Sequence, residues 1–445
     1  MLEALNTLLW GPGTLALILG TGAWLTLRTG GFPQRNLGRA LTLSLGREAR
    51  RKGRGGVSPF GSLMTALAST VGTGNIVGVA AALVSGGPGA LVWMELAALL
   101  GLAAKFAECM LAVKYRHVRR DGTRWGGPMA VMETRLGSAG AVLGRFYALF
   151  ALLMAFAMGA MAQSGALADT FSAAFTLPRW RVGLVTAVLA LAILLGGIRR
   201  IAEISTVLVP VMALLYLGGG LAVILGNLRR LPEAVTLMLR CAVAPEATLG
   251  GALGIVTRRE ALRWGVARSV FSNEAGLGSA AFTAACADTD EPVKQGLISM
   301  TGVFFDTMVI CTVTGLAICC SGTLGAADGN GHPLTGAALT LRAFETVLGP
   351  LAPWLIGVAL GLFAFTSVLG CAVQAETTAS YLLGPEAVRP CRVLYGLAVF
   401  AGAVIPMATV LQLADLANAL MAFPNLVCLL LLSGEIAGEC GRKER

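Results

Sequence analysis

The sequence has few charged residues and almost no histidine, and these shortages narrow the classes of protein it could encode. Asp, Glu, Lys and Arg make up 13% of the 445 residues, about half of the roughly 25% typical of soluble domains. A disordered chain would be more polar and more charged, and a soluble enzyme could not hide so much apolar surface. Two histidines and no cluster of metal ligands argue against a metal centre and against an enzyme.

What the sequence does have is long apolar runs. Apolar residues make up 56% of the chain, and the mean hydropathy is +0.75. A helix needs about 20 apolar residues to cross the ~30 Å hydrocarbon core. This predicts an all-α polytopic membrane protein with about eleven transmembrane helices, at 9–27, 59–84, 89–113, 143–167, 180–197, 202–225, 249–287, 297–320, 351–383, 393–412 and 415–433. The ten cysteines lie mostly inside these runs, so we expect them to be reduced.

The distribution of basic residues predicts the orientation in the membrane. With the N-terminus outside, the inner segments hold 22 of the 34 Lys and Arg, as the rule of cytoplasmic positive charge requires. Residues 1–27 are then predicted to hold an extra, retained N-terminal helix, because no basic region or cleavage site marks a signal peptide. Segments 28–58 and 434–445 become cytoplasmic. The net charge of +10 is thus explained by the lipid surface, with no nucleic-acid partner.

The remaining ten spans divide into two sets of five, at 59–225 and 249–433, within a single transporter domain. Each set opens with a helix rich in Gly and Asn: Thr70–Asn75 in the first and Ser272–Gly278 in the second. Gly and Asn both disfavour helix interiors. Matching breaks in two halves predict the discontinuous helices of an inverted-repeat transporter. The alternative is that these glycines only allow close helix packing.

A helix broken inside the membrane exposes backbone groups that can bind a ligand. The N-terminus of a half-helix favours a carboxylate, and free carbonyls favour a hard cation such as Na⁺. A zwitterion bound beside a cation would use both, with its carboxylate at the half-helix N-terminus and the cation at the free carbonyls. The breaks therefore predict an amino-acid substrate with a coupling ion.

Several stretches together resemble the alanine/glycine:cation symporter family over nearly the whole chain. They are Thr65–Ile76, Gly86–Ala90, Lys114–Arg116, Gly126–Met129, Ser272–Ala280 and Phe305–Thr307. The resemblance implies the inverted 5+5 repeat of the bacterial leucine transporter with one extra N-terminal helix. It also implies sodium-driven or proton-driven uptake of small neutral amino acids, with no cofactor.

The resemblance also implies which residues form the site. The substrate would contact Gly72, Thr73, Gly74, Asn75, Gln163, Asn273, Gly276, Ser367 and Cys371. The ion would contact Ala68, Val71, Asn75, Thr366 and Ser367, with no other metal. Two alternatives stay open: Thr366 and Ser367 could bond only to their own helix, and Gln163 could bridge two helices.

Five ionisable residues are predicted at membrane depth, where charges are usually functional or paired: Glu95, Lys105, Glu108, Asp306 and Glu376. Lys105 and Glu108 stand at i and i+3, which predicts that they pair with each other. Asp306 could support the ion path. Glu274, inside the second break, could cap a half-helix or touch the ligand.

The chain departs from the family pattern where side chains should line the pocket. After Thr366 and Ser367, the usual tryptophan is replaced by Cys371. This predicts a wider pocket and a neutral amino acid larger than alanine. The expected function is a secondary active symporter that acts as a monomer and works by alternating access; the alternative is an amino-acid sensor or a paralogue that binds without transporting.

Overall fold

The computed structural model is almost entirely helical and describes residues 6, 9–51, 57–119, 122–243, 258–327, 329 and 331–444. The start of the predicted seventh span (249–257) and parts of the predicted first and second segments (1–5, 7, 8 and 52–56) lie outside this description. In the first half, the helices are Pro12–Arg28, Phe32–Arg35, Leu37–Leu45, Pro59–Thr70, Val77–Gly86, Gly89–Lys114, Pro128–Met154, Gln163–Phe175, Arg179–Leu194, Gly197–Gly226 and Leu231–Val243. In the second half, they are Arg258–Asn273, Ser279–Ala285, Pro292–Val303, Thr312–Ser321, Gly336–Leu348, Ala352–Leu383, Val388–Val404, Met407–Leu431 and Ser433–Glu444.

Shorter elements join these helices. The 3₁₀ turns are Arg47–Arg50, Thr73–Asn75, Leu228–Arg230, Gly349–Leu351 and Pro385–Ala387. Two π-helical segments, Ala155–Ala162 and Phe304–Cys311, run into the helices that follow them. An antiparallel hairpin pairs His117–Val118 with Arg124–Trp125. Because π-helical segments occur often at functional sites, both segments are candidate parts of such a site.

Many of the helices can cross a membrane. Among the described residues, seven helical spans are long and apolar enough, or eight if the bent pair Pro59–Thr70 and Thr73–Gly86 is one span. Helices Pro12–Arg28 and Arg179–Leu194 are shorter, with 17 and 16 residues. The chain is therefore a multi-pass membrane protein. The count of eleven and the inverted repeat remain predictions.

The outer helices carry the apolar surface expected to face lipid. Leu214 and Leu225 on Gly197–Gly226 are 71% and 66% exposed, and helices Arg179–Leu194 and Val388–Val404 also expose leucines and valines. Soluble monomers rarely expose apolar patches of this size. In contrast, Gly89–Lys114 and Ala352–Leu383 are largely buried along their lengths. These two helices form the centre of the bundle.

The fourth helical span begins earlier in the chain than predicted, for an identifiable reason. The fourth span was expected from residue 143, but its helix begins at Pro128. The added turns contain the charged residues Glu133 and Arg135, so they do not form part of an apolar run. A non-helical residue, Gly137 (φ 60°), separates them from the rest of the helix. The seventh span is interrupted at 274–278, inside the predicted second break.

Very close helix contacts join four helical segments, Ala155–Ala162, Arg179–Leu194, Ala352–Leu383 and Val388–Val404, which we call the glycine-packed group. A Cβ on Gly159 would lie 2.2 Å from the Cβ of Cys371, and one on Gly402 would lie 2.3 Å from the Met161 backbone. A Cβ on Gly183 would lie 2.4 Å from the Cβ of Ala403. Only glycine permits these approaches, since the interior has no space for an added methyl group.

Candidate functional site

The first predicted break is present. Helix Pro59–Thr70 ends at Val71, and the chain bends by 63° before it continues to Gly86. Glycine and asparagine weaken the helix here, and the Asn75 side chain rebuilds the turn: its Oδ1 accepts a hydrogen bond from the Gly72 N–H at 3.0 Å. The end of one helix and the start of the next leave backbone groups without intrahelical partners. The break is therefore a place where a ligand can meet the backbone.

Two buried polar side chains face this break. A Cβ on Gly72 would lie 3.0 Å from Ser367 Oγ and 3.5 Å from Gln163 Nε2. Neither Ser367 Oγ nor Gln163 Oε1 has a hydrogen-bond partner among the described residues. An unpaired buried polar atom costs about 1–3 kcal/mol, so both atoms are available to a ligand. Three predicted residues, Gly72, Gln163 and Ser367, thus meet at one point.

A cavity of about 350 Å³ lies beside the break. Thr73 and Gly74 form part of its wall, and most of the other lining side chains are apolar, among them Phe271 and Leu360. Asp169 and Arg268 also line it. A ligand bound at Thr73 and Gly74 would therefore place its side chain against mostly apolar groups.

The Asn75 amide joins the first break to the second half of the chain. Its Nδ2 lies 2.7 Å from Asp306 Oδ1 and 3.0 Å from Ser272 Oγ. Asp306 also accepts from Ser272 and Thr307, yet no basic side chain among the described residues forms an ion pair with it. A carboxylate buried with only neutral donors needs a proton or a cation. Asp306 and Ser272, which were not among the predicted ligands, therefore belong to the candidate site.

The second predicted break is also present, but side chains of the protein fill it. Lys105 donates to the Glu274 carbonyl, Asn425 to that of Gly276 and Tyr147 to that of Leu277. Glu108 accepts from the Gly278 N–H at 3.0 Å. Since these backbone groups are already bonded, a ligand has little to bind here.

Asn273 and Gly276, which the sequence predicts as substrate contacts, have neighbours from the protein itself in this structure. The Asn273 side chain bonds to Ser269, Thr307 and the Ala275 N–H. A Cβ on Gly276 would meet Leu426 at 2.9 Å, so this glycine faces a neighbouring helix. Both residues shape the break from within.

Two further predicted residues have protein partners. The Thr366 hydroxyl donates to the Leu362 and Phe363 carbonyls of its own helix and lies beside the Met212 sulfur. This is the alternative considered from the sequence. Cys371 does not line the cavity described above; Gly159 and the Tyr395 hydroxyl occupy the space beside it. Gln163 and Ser367 do not line that cavity either, so the wider pocket at Cys371 stays a prediction.

The ionisable residues predicted at membrane depth also have identifiable partners. Lys105 and Glu108 pair at 3.4 Å, as their spacing predicted. Glu376 pairs with Arg392 at 2.8 Å, and Glu95 accepts from Thr312. Glu274 has a left-handed backbone (φ 52°), and its Oε2 has no hydrogen-bond partner among the described residues. Ala68 and Val71 lie buried at the end of the first half-helix.

Comparison with known proteins identifies the family. The chain matches the sodium:alanine symporter family over residues 1–441. It belongs to that family. The sodium/alanine symporter AgcS of Methanococcus maripaludis is 41% identical over 99% of this chain and 96% of its own length. A transporter of Haemophilus influenzae is 44% identical over 97% of this chain and 92% of its own.

Membership of the sodium:alanine symporter family confirms the resemblance read from the sequence and places the chain among transporters rather than enzymes. The function class is Na⁺-coupled amino-acid transport. The probable sodium/glutamine symporter GlnT of Bacillus subtilis is 36% identical over 96% of this chain and 87% of its own length. Among solved structures, MhsT in complex with L-phenylalanine has a TM-score of 0.60 at 14% identity, covering 84% of this chain and 88% of that one. That likeness shows a shared leucine-transporter fold.

Proposed function

We propose that this family member imports a neutral amino acid together with Na⁺ by alternating access. The observation that carries the proposal is the meeting of Gln163 Oε1 and Ser367 Oγ, both buried and unpartnered among the described residues, at Gly72. The start of the helix beyond Gly72 offers N–H groups to a carboxylate. The two side-chain oxygens offer acceptors to an ammonium group. Together they suit the backbone of an amino acid.

The cavity supports a neutral side chain on that amino acid. Its lining near Thr73 and Gly74 is mostly apolar, and the charged Asp169 and Arg268 belong to helices at the predicted outer side. The relatives carry names that mention alanine and glutamine, so family membership leaves the size open. A small or medium neutral amino acid fits about 350 Å³.

We place the coupling ion between the two halves, near Asn75 and Asp306, with the carbonyls of Ala68 and Val71 close to the same break. A cation there would neutralise Asp306, which otherwise has only neutral donors. The ion and the substrate would stabilise the same arrangement of the first break, which makes their binding mutually favourable. Asn75 contacts both regions and would transmit that coupling.

The arrangement also supports a direction of access. The cavity lies on the side of Asp169 and Arg268, whereas on the opposite side Arg116 and Arg124 bind the segment after the second break. With the N-terminus outside and the C-terminus cytoplasmic, as the basic residues predict, this is an outward-facing arrangement. Release to the cytoplasm would require these arginine contacts to separate.

Uptake by purified protein in proteoliposomes tests the proposal. We expect one or a few of the twenty labelled amino acids to accumulate under an inward Na⁺ gradient and not under a K⁺ gradient. Vesicles without protein are the control. Ligand-dependent thermal stabilisation without accumulation, in sealed vesicles with folded protein, would favour the sensor; accumulation driven by a pH gradient alone would replace Na⁺ by H⁺.

A methyl group at Gly72 should block the substrate position. The Gly72 backbone is extended (φ −138°, ψ −155°), so alanine fits the conformation. Its methyl group would occupy the space at Ser367 Oγ and Gln163. We expect Gly72→Ala to raise the KM for the amino acid at least about tenfold, equivalent to ~1.4 kcal/mol.

Gly302→Ala is the matched control, because its Cβ would meet Leu63 and Leu67 at ordinary distances of 3.7 Å and 3.9 Å. We expect both variants to unfold within a few degrees of the wild type. A wild-type KM in Gly72→Ala would remove the first break from the substrate site.

A further inference from the structure

A second cavity, of about 290 Å³, lies far from the first break, at the face predicted to be cytoplasmic. Four arginines line it: Arg119, Arg124, Arg199 and Arg392. They come from the hairpin, the start of helix Gly197–Gly226 and helix Val388–Val404. Glu376 is the only acidic side chain in its described lining. We call it the arginine cavity.

The charges of the arginine cavity do not balance. Glu376 is satisfied by Arg392, whose Nε and Nη2 each lie 2.8 Å from its carboxylate oxygens. Arg124 pairs with Asp288, outside the lining. Among the described residues, Arg119 and Arg199 have no carboxylate partner. Within the described part of the chain, two positive charges at the cavity therefore have no carboxylate to pair with.

Contacts with Ser380 and Trp125 order the Arg119 side chain at the cavity. Its Nη2 donates to Ser380 Oγ at 3.0 Å, and its guanidinium lies 5.7 Å from the centre of the Trp125 ring. The His117 ring stacks on the same Trp125 side chain, with ring centres 4.9 Å apart. An ordered guanidinium loses less entropy on binding an anion and can present a bidentate fork.

The backbone contributes to the same cavity. Gly196 and Gly197, at the start of a 30-residue helix, line it, and no acidic side chain or side-chain cap occupies that helix start. The N-terminus of such a helix carries partial positive charge. The arginines and this helix start therefore both favour an anion.

We infer that the arginine cavity binds a phosphate-type anion, either the headgroup of an anionic phospholipid or a soluble phosphate compound. Arg119 and Arg199 would be its principal contacts, with Arg124 and Arg392 adding positive potential. Arginine-lined pockets between helices at the cytoplasmic side suit phosphate headgroups. The ligand would join the hairpin to helices Gly197–Gly226 and Val388–Val404, so it would stabilise the closed inner side.

Binding by the full-length purified protein tests this inference independently of transport. Nanodiscs of phosphatidylcholine alone are compared with nanodiscs that also contain phosphatidylglycerol, and inorganic phosphate and pyrophosphate are titrated into the former. The readout is the shift of the unfolding temperature with probe concentration. Stabilisation by phosphatidylglycerol alone identifies a lipid headgroup, and saturable stabilisation by the soluble anions identifies a soluble ligand; either result supports the site.

The variant Arg119→Gln/Arg199→Gln should weaken binding of the effective probe at least about tenfold, since it removes two charge-assisted donors to the anion. Arg47→Gln/Arg51→Gln is the matched control, because it removes the same charge from exposed residues of the predicted cytoplasmic side. We expect the control to bind within about twofold of wild type, as loss of nonspecific attraction is small. No stabilisation by any probe, or an equal loss in both variants, would overturn the site.

Discussion

Replacing Asn75 by alanine should remove most Na⁺-driven uptake, by at least about tenfold, while the protein still reaches the membrane. The alanine leaves the Gly72 N–H and the Asp306 carboxylate each without a partner that they now have at 3.0 Å and 2.7 Å. Each unmade buried hydrogen bond costs ~1–3 kcal/mol, and ~1.4 kcal/mol is a factor of ten. The initial rate of uptake is measured against Na⁺ concentration for the amino acid found in the survey.

Asn227→Ala provides the comparison for this variant. Among the described residues, the Asn227 side chain bonds to the Val223 carbonyl of its own helix alone, at 3.0 Å, so its loss should leave the Na⁺ dependence unchanged. The Asn75 variant should need more Na⁺ for half-maximal uptake. An unchanged rate and Na⁺ dependence would show that the contact between the two halves is not part of coupling.

Glu108→Ala should give the largest loss of stability. Glu108 pairs with Lys105 and accepts from the Gly278 N–H and from Asn425 Nδ2. Its removal leaves a buried ammonium without its carboxylate, for which losses of ~3–5 kcal/mol are typical. We expect a clearly lower unfolding temperature in detergent and less folded protein at equal expression.

Two further variants separate the causes. Glu345→Ala breaks a surface pair with Arg342 and should cost less than about 1 kcal/mol. Lys105→Met/Glu108→Gln removes both charges while glutamine can still accept from Gly278, so it should recover part of the loss. If the double variant is no more stable than Glu108→Ala, the ion pair is not the source of the effect.

The sequence predicted the features that local chemistry determines. Both breaks follow from glycine and asparagine in apolar runs, and the Lys105–Glu108 pair follows from helical spacing. Features that depend on distant contacts could not be predicted in this way. Asn75 meets Asp306 across 231 residues of chain, and no local pattern reveals that contact.

The difference between the two breaks also depends on contacts between residues far apart in the chain. From the sequence they are equivalent, and both were predicted to touch the substrate. The structure distinguishes them because Tyr147 and Asn425, far away in the chain, satisfy the backbone of the second break. The close approach of Gly159 to Cys371 likewise depends on a contact between residues far apart in the chain, which no local pattern reveals.

The glycine-packed group has a mechanical consequence. Its helices approach each other so closely at glycine that none can slide past another without first separating, and a dense interior resists such separation. These four segments should therefore move as one stiff frame. Under the proposed alternating access, we expect the displacement to occur where the broken helices meet that frame, so that the energy of the ion gradient would act on these few junctions.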